Sequence, residues 1–456
     1  MNRTTFPALL ALSFFVSSPA LRAEPSEFEW IVSGGGTKSD KTRAVAFASD
    51  GGAFLAGETT GEGSFGGVKR DGLGESDFFL TKVSQEGKVL WVRSLGGSQI
   101  DRGYGVVGDG DGNAYVTGHY QSTDAVGAGG AILPNRGDYD VFVAKYSSAG
   151  DLLWIRTAGG TGYDYGHGIA LDPAGDVVVS GAVAGEAHFE DTVTASTGKS
   201  RAVFCAKYSP EGELRWVTTS TGAFSGSGHG VATDATGHIY IGGGGSGTGR
   251  IGEIALEAKT RSALVLKLNP AGEALWAHLA PGLPSAGFHE ITADKEGRVW
   301  GAGMFKGKAT FGDQTRETTG EKDNDGVLAH YSTDGTLQWS RFVQGPGTDY
   351  CLGVTTDGTG RVFVTGEYSR EALFAEKPLT SAGATDIHVA AFDERGTMEW
   401  CLRAGGVKGD NAYTMTWHPD GKLLFGGSCT APITFGEKNL ESSGGADAYG
   451  ALLKIP

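Results

Sequence analysis

The chain has 456 residues, of which 77 are glycine and nine are tryptophan; 39% are hydrophobic and the formal net charge is −15. So much glycine without a collagen period calls for many tight turns, and the apolar share suffices for a packed core. A chain this acidic is repelled by nucleic acid and by anionic membrane surfaces, so neither is expected as a partner.

In chain order, the first feature is the opening MNRTTFPALLALSFFVSSPALRA. One basic residue, Arg3, precedes an apolar run from Phe6 to Val16, and small residues follow. This is the pattern of a secretory signal peptide, cleaved after Ala20 or Ala23, and it is too short to span a bilayer. Residues 1–23 are read as signal peptide and 24–456 as one domain. The expected destination is periplasmic, secreted or cell-surface, with no integral membrane segment after cleavage.

A long-period repeat governs the rest. Trp30, Trp91, Trp154, Trp216, Trp276, Trp339 and Trp400 are spaced by 61, 63, 62, 60, 63 and 61 residues. Each Trp except the first has a glycine four residues before it. An alternating run precedes that glycine, as in DFFLTKVS (77–84), DVFVAKYS (140–147) and DIHVAAFD (386–393). The run, the glycine turn and the Trp segment make a β-hairpin. A Gly-Gly crossing follows, then a short strand such as YGVVGD or HGIALD, a turn such as DGDG or DPAG, and a strand ending near VTG. Four strands in about 60 residues is the signature of a β-propeller blade.

The innermost strands are placed at 43–48, 104–109, 167–172, 229–234, 289–294, 352–357 and 413–418, and the Trp strands outermost. The C-terminal DAYGALLKIP lacks a following Trp strand, whereas EFEWIVSGG near the N-terminus lacks a preceding partner. Glu27–Ser33 beside 447–455 would supply the missing strand and remove an exposed sheet edge. The expected fold is therefore an all-β, seven-bladed β-propeller of four-stranded antiparallel blades, closed by the N-terminal strand completing the last blade.

The text WIRTAGGTGYDYGHGIALDPAGDVVVSG followed by DVFVAKYS resembles the bacterial SBBP-type β-propeller repeat family. Its members read W-x-x-x-x-G-G-x-x-x-D, then D-x-x-G-x-x-[YF]-V-T-G, then D-x-F-[VL]-A-K. The resemblance covers nearly all of the mature chain and implies an exported or cell-surface protein. It implies no catalytic residues. The copies drift: the Asp after Gly-Gly is present as Asp40, Asp101, Asp164, Asp349 and Asp410, while the fourth and fifth copies read TGAFSGSGHG and APGLPSAGFHE. The Trp–Gly spacing is also similar to the tryptophan-docking repeats of quinoprotein dehydrogenases. The Asp and Thr of that motif are missing and no adjacent cysteine pair exists, so no quinone is expected.

Repetition separates architecture from chemistry. DGDGN (109–113) resembles the start of a calcium loop, but sister copies carry only a single Asp and a glycine, so a side-chain-capped turn accounts for all of them. The crossing Asp residues are expected to accept backbone N–H bonds. No nucleophile elbow or HExxH occurs, and GSGTG (245–249) has no helix after it.

The position that does vary lies three residues after the crossing Asp: Arg43, Tyr104, His167, His229, His289, Leu352 and Tyr413. These open the innermost strands and should approach one rim of a central channel. Arg43, Tyr104, His167, His229, His289 and Tyr413 are the candidate ligand-binding residues. Strand parity groups His167, His229 and His289 with Ile169, Val231 and Ile291, which favours packing between blades. No cofactor is expected; the sharper alternative is a divalent metal held by the three imidazoles. Cys205, Cys351, Cys401 and Cys429 have no metal spacing, and Cys401–Cys429 is the one pairing worth testing.

The favoured function is a monomeric, secreted, non-enzymatic scaffold that binds protein or glycan at the cell envelope. Its long connections between second and third strands, such as 121–140, would form the binding face. The alternative is a hydrolase or lyase acting at the channel mouth through His167, His229 or His289.

Overall fold

The computed structural model describes residues 24–25, 27–127, 130–194, 200–320, 323–430, 432–442 and 444–455. The segment read as a signal peptide, 1–23, lies outside the described residues. Every regular element of the described residues is a β-strand, and the architecture is an all-β repeat of antiparallel sheets.

The first unit contains Lys41–Phe47, Ala53–Thr59, Asp77–Val83 and Val89–Leu95, paired antiparallel in that order. The order recurs along the chain. Later first strands are Asp101–Gly108, Tyr165–Leu171, Ser225–Thr233, Gly282–Ala293, Tyr350–Thr356 and Asn411–His418. They overlap the expected spans, all beginning earlier than expected and all but Asn411–His418 ending one residue sooner. In the last unit, Asp447–Lys454 pairs with Phe28–Gly36, setting Trp30 opposite Leu452 and Ser33 opposite Tyr449. Ion pairs accompany that pairing, Lys422–Glu29 at 2.7 Å and Lys454–Glu27 at 3.2 Å.

Each first strand touches the first strand of the next unit, and Asn411–His418 touches Lys41–Phe47. Glycine permits this approach. A Cβ on Gly168 would stand 2.7 Å from Val231 N, and one on Gly230 would stand 2.6 Å from Ile291 N. The apolar clusters lie between consecutive units. Phe54, Phe78 and Leu80 pack on Val116, Phe142 and Tyr146; Leu424, Ala448 and Leu452 of the last unit pack on Val45, Leu55 and Phe79 of the first. Each fully buried side chain of this size contributes about 1.5–3 kcal/mol of transfer free energy.

The tryptophans explain the repeat's spacing. Trp154 Nε1 donates to Pro210 O at 3.0 Å, and Trp91 and Trp339 make the equivalent bonds to Ser148 O and Glu394 O. Each thus seats on the third-to-fourth-strand turn of the following unit. The turn glycine makes room: Gly212, at φ +86°, would place a Cβ 2.8 Å from Trp154 Cδ2. The glycine four residues before one Trp therefore accommodates the Trp of the unit before it.

The connections between second and third strands are not simply free loops. Gly63–Phe65 and Val68–Arg70 form a hairpin that pairs with Gly34–Gly36 of the preceding outer strand. Ile433–Phe435 does the same with Gly405–Gly406. The expectation that they form the binding face is corrected to this extent: several of them extend the neighbouring sheet. The Cys401–Cys429 pairing is also corrected. All four cysteines are buried free thiols, and burial pushes the Cys401 thiol up to about 12.

Gly212→Ala and Gly175→Ala provide a matched test. Both positions have φ +86°, but a Cβ on Gly175 meets only Pro210 Cγ at 4.0 Å. Each substitution costs about 1–2 kcal/mol for the left-handed backbone, and Gly212→Ala adds about 1–3 kcal/mol of overpacking on Trp154. Urea unfolding should show the larger loss for Gly212→Ala; equal losses would refute the docking role.

Candidate functional site

The seven varying residues share a backbone feature that alternation conceals. Register shifts fall between Thr42 and Ala44, Gly103 and Gly105, Gly166 and Gly168, Gly228 and Gly230, Phe288 and Glu290, Cys351 and Gly353, and Ala412 and Thr414. The extra residue at each β-bulge is Arg43, Tyr104, His167, His229, His289, Leu352 or Tyr413. A bulge re-aims its extra side chain away from the strict alternation of the strand. Val231 and Ile291 pack in apolar clusters between sheets. The imidazoles do not join them, so the parity expectation is corrected.

The structure brings all six candidate residues together. Arg43, Tyr104, His167, His229, His289 and Tyr413 line one cavity of about 160 Å³ with Glu290. Arg43, His229, His289 and Tyr413 also line an adjoining pocket of about 270 Å³, to which Leu352, Arg261 and Glu367 contribute. The side chains form a continuous belt. The Arg43 guanidinium lies 4.8 Å from the Tyr104 ring centre and 5.6 Å from that of Tyr413. Tyr104 stacks on His167 at 4.6 Å and 16°. His167 meets His229 edge to face at 4.6 Å, with Nδ1 atoms 3.1 Å apart. His289 follows, its ring centre 6.0 Å from that of His229.

Arg43 is fixed by charge. Its Nη2 lies 2.8 Å from Glu58 Oε1, and Arg102 Nε lies 2.9 Å from Glu58 Oε2. Burial works against the Glu58 carboxylate, but Arg43, Arg102 and Lys41 outweigh it and hold its pKa below the usual range. Burial dominates the imidazoles. It pushes His289 down to about 4 and His167 and His229 well below their usual value, with nearby positive charges adding to the effect. The His167–His229 contact is thus an N–H···N hydrogen bond between neutral rings. His289 Nδ1 is buried without a hydrogen-bond partner among the described residues.

Sequence reading missed Glu290, Glu367, Arg261 and His119. Burial pushes both glutamates up to about 7, the Ile291 N–H opposing at Glu290, and Asp349 adding while Lys41 opposes at Glu367. A readable signal existed for Glu290: it fills the slot that Gly105, Gly168, Gly230 and Gly353 fill elsewhere. Behind Tyr104, His119 is 2% exposed and stacked at 5.1 Å, its other neighbours being the rings of Tyr139 and Tyr165.

The repeated acids prove architectural. Asp164 accepts from Gly160 N at 2.7 Å and Ala184 N at 2.6 Å, and Asp410 makes the same two contacts with Gly406 and Thr430. Asp109 caps its own turn through Asp111 N and Asn113 N. The repeated lysine answers the turn acid, as in Lys207–Asp172 at 2.7 Å. The metal expectation on His167, His229 and His289 is corrected: among the described residues no group of three or more His, Cys, Asp or Glu is arranged to hold a metal. Two of the imidazoles spend their facing nitrogens on each other. No helix among the described residues is long and apolar enough to cross a membrane.

No family model matches the chain. It is 24% identical over 187 residues to an uncharacterized WD repeat-containing protein of Acanthamoeba polyphaga mimivirus, covering 35% of this chain and 14% of that one. It is 30% identical over 131 residues to the regulatory protein FlaEY of Caulobacter vibrioides, covering 28% and 14%. The chain thus matches about one seventh of the length of these curated relatives. Among solved structures, a puromycin hydrolase mutant complexed with PGG covers 89% of this chain and 55% of its own at 11% identity and a TM-score of 0.44. A regucalcin described as calcium-binding, from Agrobacterium tumefaciens, covers 93% and 91% at 12% identity and a TM-score of 0.32.

His119 offers a pH test. Burial, then Arg102 and Arg43, push it down to about 3. The folded state therefore binds fewer protons than the unfolded state, so this residue's contribution is full above about pH 6.5 and falls as the solution is acidified. Between pH 6.5 and 4 the wild type should lose about 1.4 kcal/mol per pH unit relative to His119→Gln. Urea unfolding across that range checks the slope; parallel curves would contradict it.

Proposed function

We propose that this chain is an exported, SBBP-type seven-bladed β-propeller, closed by its N-terminal strand, that binds a ligand at the mouth of its central channel. Support for closure comes from the Phe28–Gly36 pairing with Asp447–Lys454 and from contact between the last and first inner strands. Ile31 and Ala451 are register partners. The double variant Ile31→Cys/Ala451→Cys should form a disulfide on mild oxidation; a chain open at this seam would not cross-link.

One observation carries the binding role. The bulge residues of successive units converge on one cavity, where the repeat's sequence varies most while its frame stays constant. Side chains that differ at a position of shared backbone geometry shape a surface for something outside the chain. The proposed protein is a monomeric scaffold of the periplasm, cell surface or secreted fraction, and its ligand belongs to the envelope. The presence of Glu290 and Glu367, each near pKa 7 beside imidazoles, favours one second reading, acid–base catalysis in the same cavity.

A plug variant tests the first reading. Leu352 is 6% exposed and lines the 270 Å³ pocket, so Leu352→Trp fills it while removing no charge. Wild-type protein passed through native envelope extract should retain a component that Leu352→Trp does not. Equal retention would sink the site assignment. Recovery of a chemically altered component would move the reading to the enzyme.

A further inference from the structure

Most cations near the cavity have a carboxylate. Lys41, Arg43 and Arg102 all converge on Glu58, at 3.8, 2.8 and 2.9 Å. Two do not. Arg201 begins the third strand of its unit, and Arg261 lies in the third strand of the next. Among the described residues, neither has a carboxylate within ion-pair distance. Arg261 nevertheless lines the 270 Å³ pocket with His229 and His289. Burial lowers its pKa, and the neighbouring charge of Arg201 lowers it further. Two adjacent, unneutralised guanidinium groups in a chain of net charge −15 are a costly arrangement unless an anion arrives from outside.

Aromatic faces continue from this pair. Arg201 lies 5.6 Å from the centre of the Tyr165 ring. Tyr165 neighbours Tyr139 at 5.9 Å, and Tyr139 neighbours Tyr163 at 5.5 Å. The Tyr163 and Tyr165 rings are nearly parallel, at 14° with centres 6.5 Å apart, and Tyr163 is 48% exposed. Such a platform offers flat apolar faces with polar tips, at little conformational cost. The pocket of about 270 Å³ suits one ring-sized group, since sites for whole drug-sized ligands start at about 300 Å³.

We propose that the channel mouth binds an acidic oligosaccharide, with a sugar carboxylate held between Arg261 and Arg201 and the adjoining sugar faces laid on Tyr165 and Tyr163. This rests on the channel-mouth reading above. A peptide is the weaker fit because the inner strands, most of them terminal in their sheets, approach one another so closely at glycine that strand addition there is crowded out. The bidentate guanidinium and the stacked ring select for a planar anion attached to a rigid ring.

Titration calorimetry of the mature protein with tetragalacturonate, cellotetraose and a tetraglutamate peptide tests it. Tetragalacturonate should bind, and more weakly as salt rises. Arg261→Gln should weaken it at least tenfold, Arg201→Gln and Tyr163→Ala several-fold, with unfolding midpoints unchanged for exposed Arg201 and Tyr163. Cellotetraose or tetraglutamate binding as tightly as the uronate would overturn the proposal, as would an Arg261→Gln variant that binds undiminished. If tetragalacturonate fails while the Leu352→Trp plug still abolishes retention from the extract, the acidic-sugar assignment falls and the site stands. If retention is unaffected too, both fall.

Discussion

The close approach of the first strands is the constraint on which the rest of the structure depends. Neighbouring backbones come near enough that Gly168 and Gly230 cannot carry a Cβ without striking the next strand. That proximity limits the volume left along the inner strands, and it makes glycine the usual residue after each bulge. The bulge then gives the chain one position per unit whose side chain is freed from packing between sheets. That position supplies the belt of the cavity, and Glu290, Glu367 and Arg261 join it from other positions.

The outer part of each unit solves a different problem. A lone four-stranded sheet leaves both faces and its edges unsatisfied. The Trp of one unit seats on the turn of the next, hairpins from one unit pair with the outer strand of its predecessor, and the apolar clusters straddle units. The same acid recurs at five crossings because it ties backbone N–H groups there. Desolvation pushes several of these acids up, Asp164 to about 7 and Asp40 to about 6. Their stabilising effect runs opposite in sign to that of the buried imidazoles: the folded state binds more protons at these acids, so their contribution weakens as pH rises through that range.

Electrostatics divides the cavity into two regimes. Around Glu58 three cations neutralise one carboxylate and fix Arg43 between Tyr104 and Tyr413. Around His229 the positive charges of Arg261 and Arg201 help keep the imidazole neutral. Neutral imidazoles then hydrogen-bond with each other.

Periodicity made much of this legible in advance. Tryptophans about 60 residues apart, alternating runs and glycine turns determined the strands, their order within each unit, and the partnership of the two termini, because these follow from local hydrogen bonding and a period of two. The same reading singled out Arg43, Tyr104, His167, His229, His289 and Tyr413, since position within a repeat is a matter of counting. What counting could not reach was direction. Strict alternation sent the imidazoles between sheets, whereas one extra residue per strand re-aimed them into the cavity. Glu290, Glu367 and Arg261 come from other positions in the repeat and meet the belt only through packing. Whether a charge has a carboxylate within ion-pair distance, as Arg43 does and, among the described residues, Arg261 does not, is set by distances across units that no spacing in the chain records.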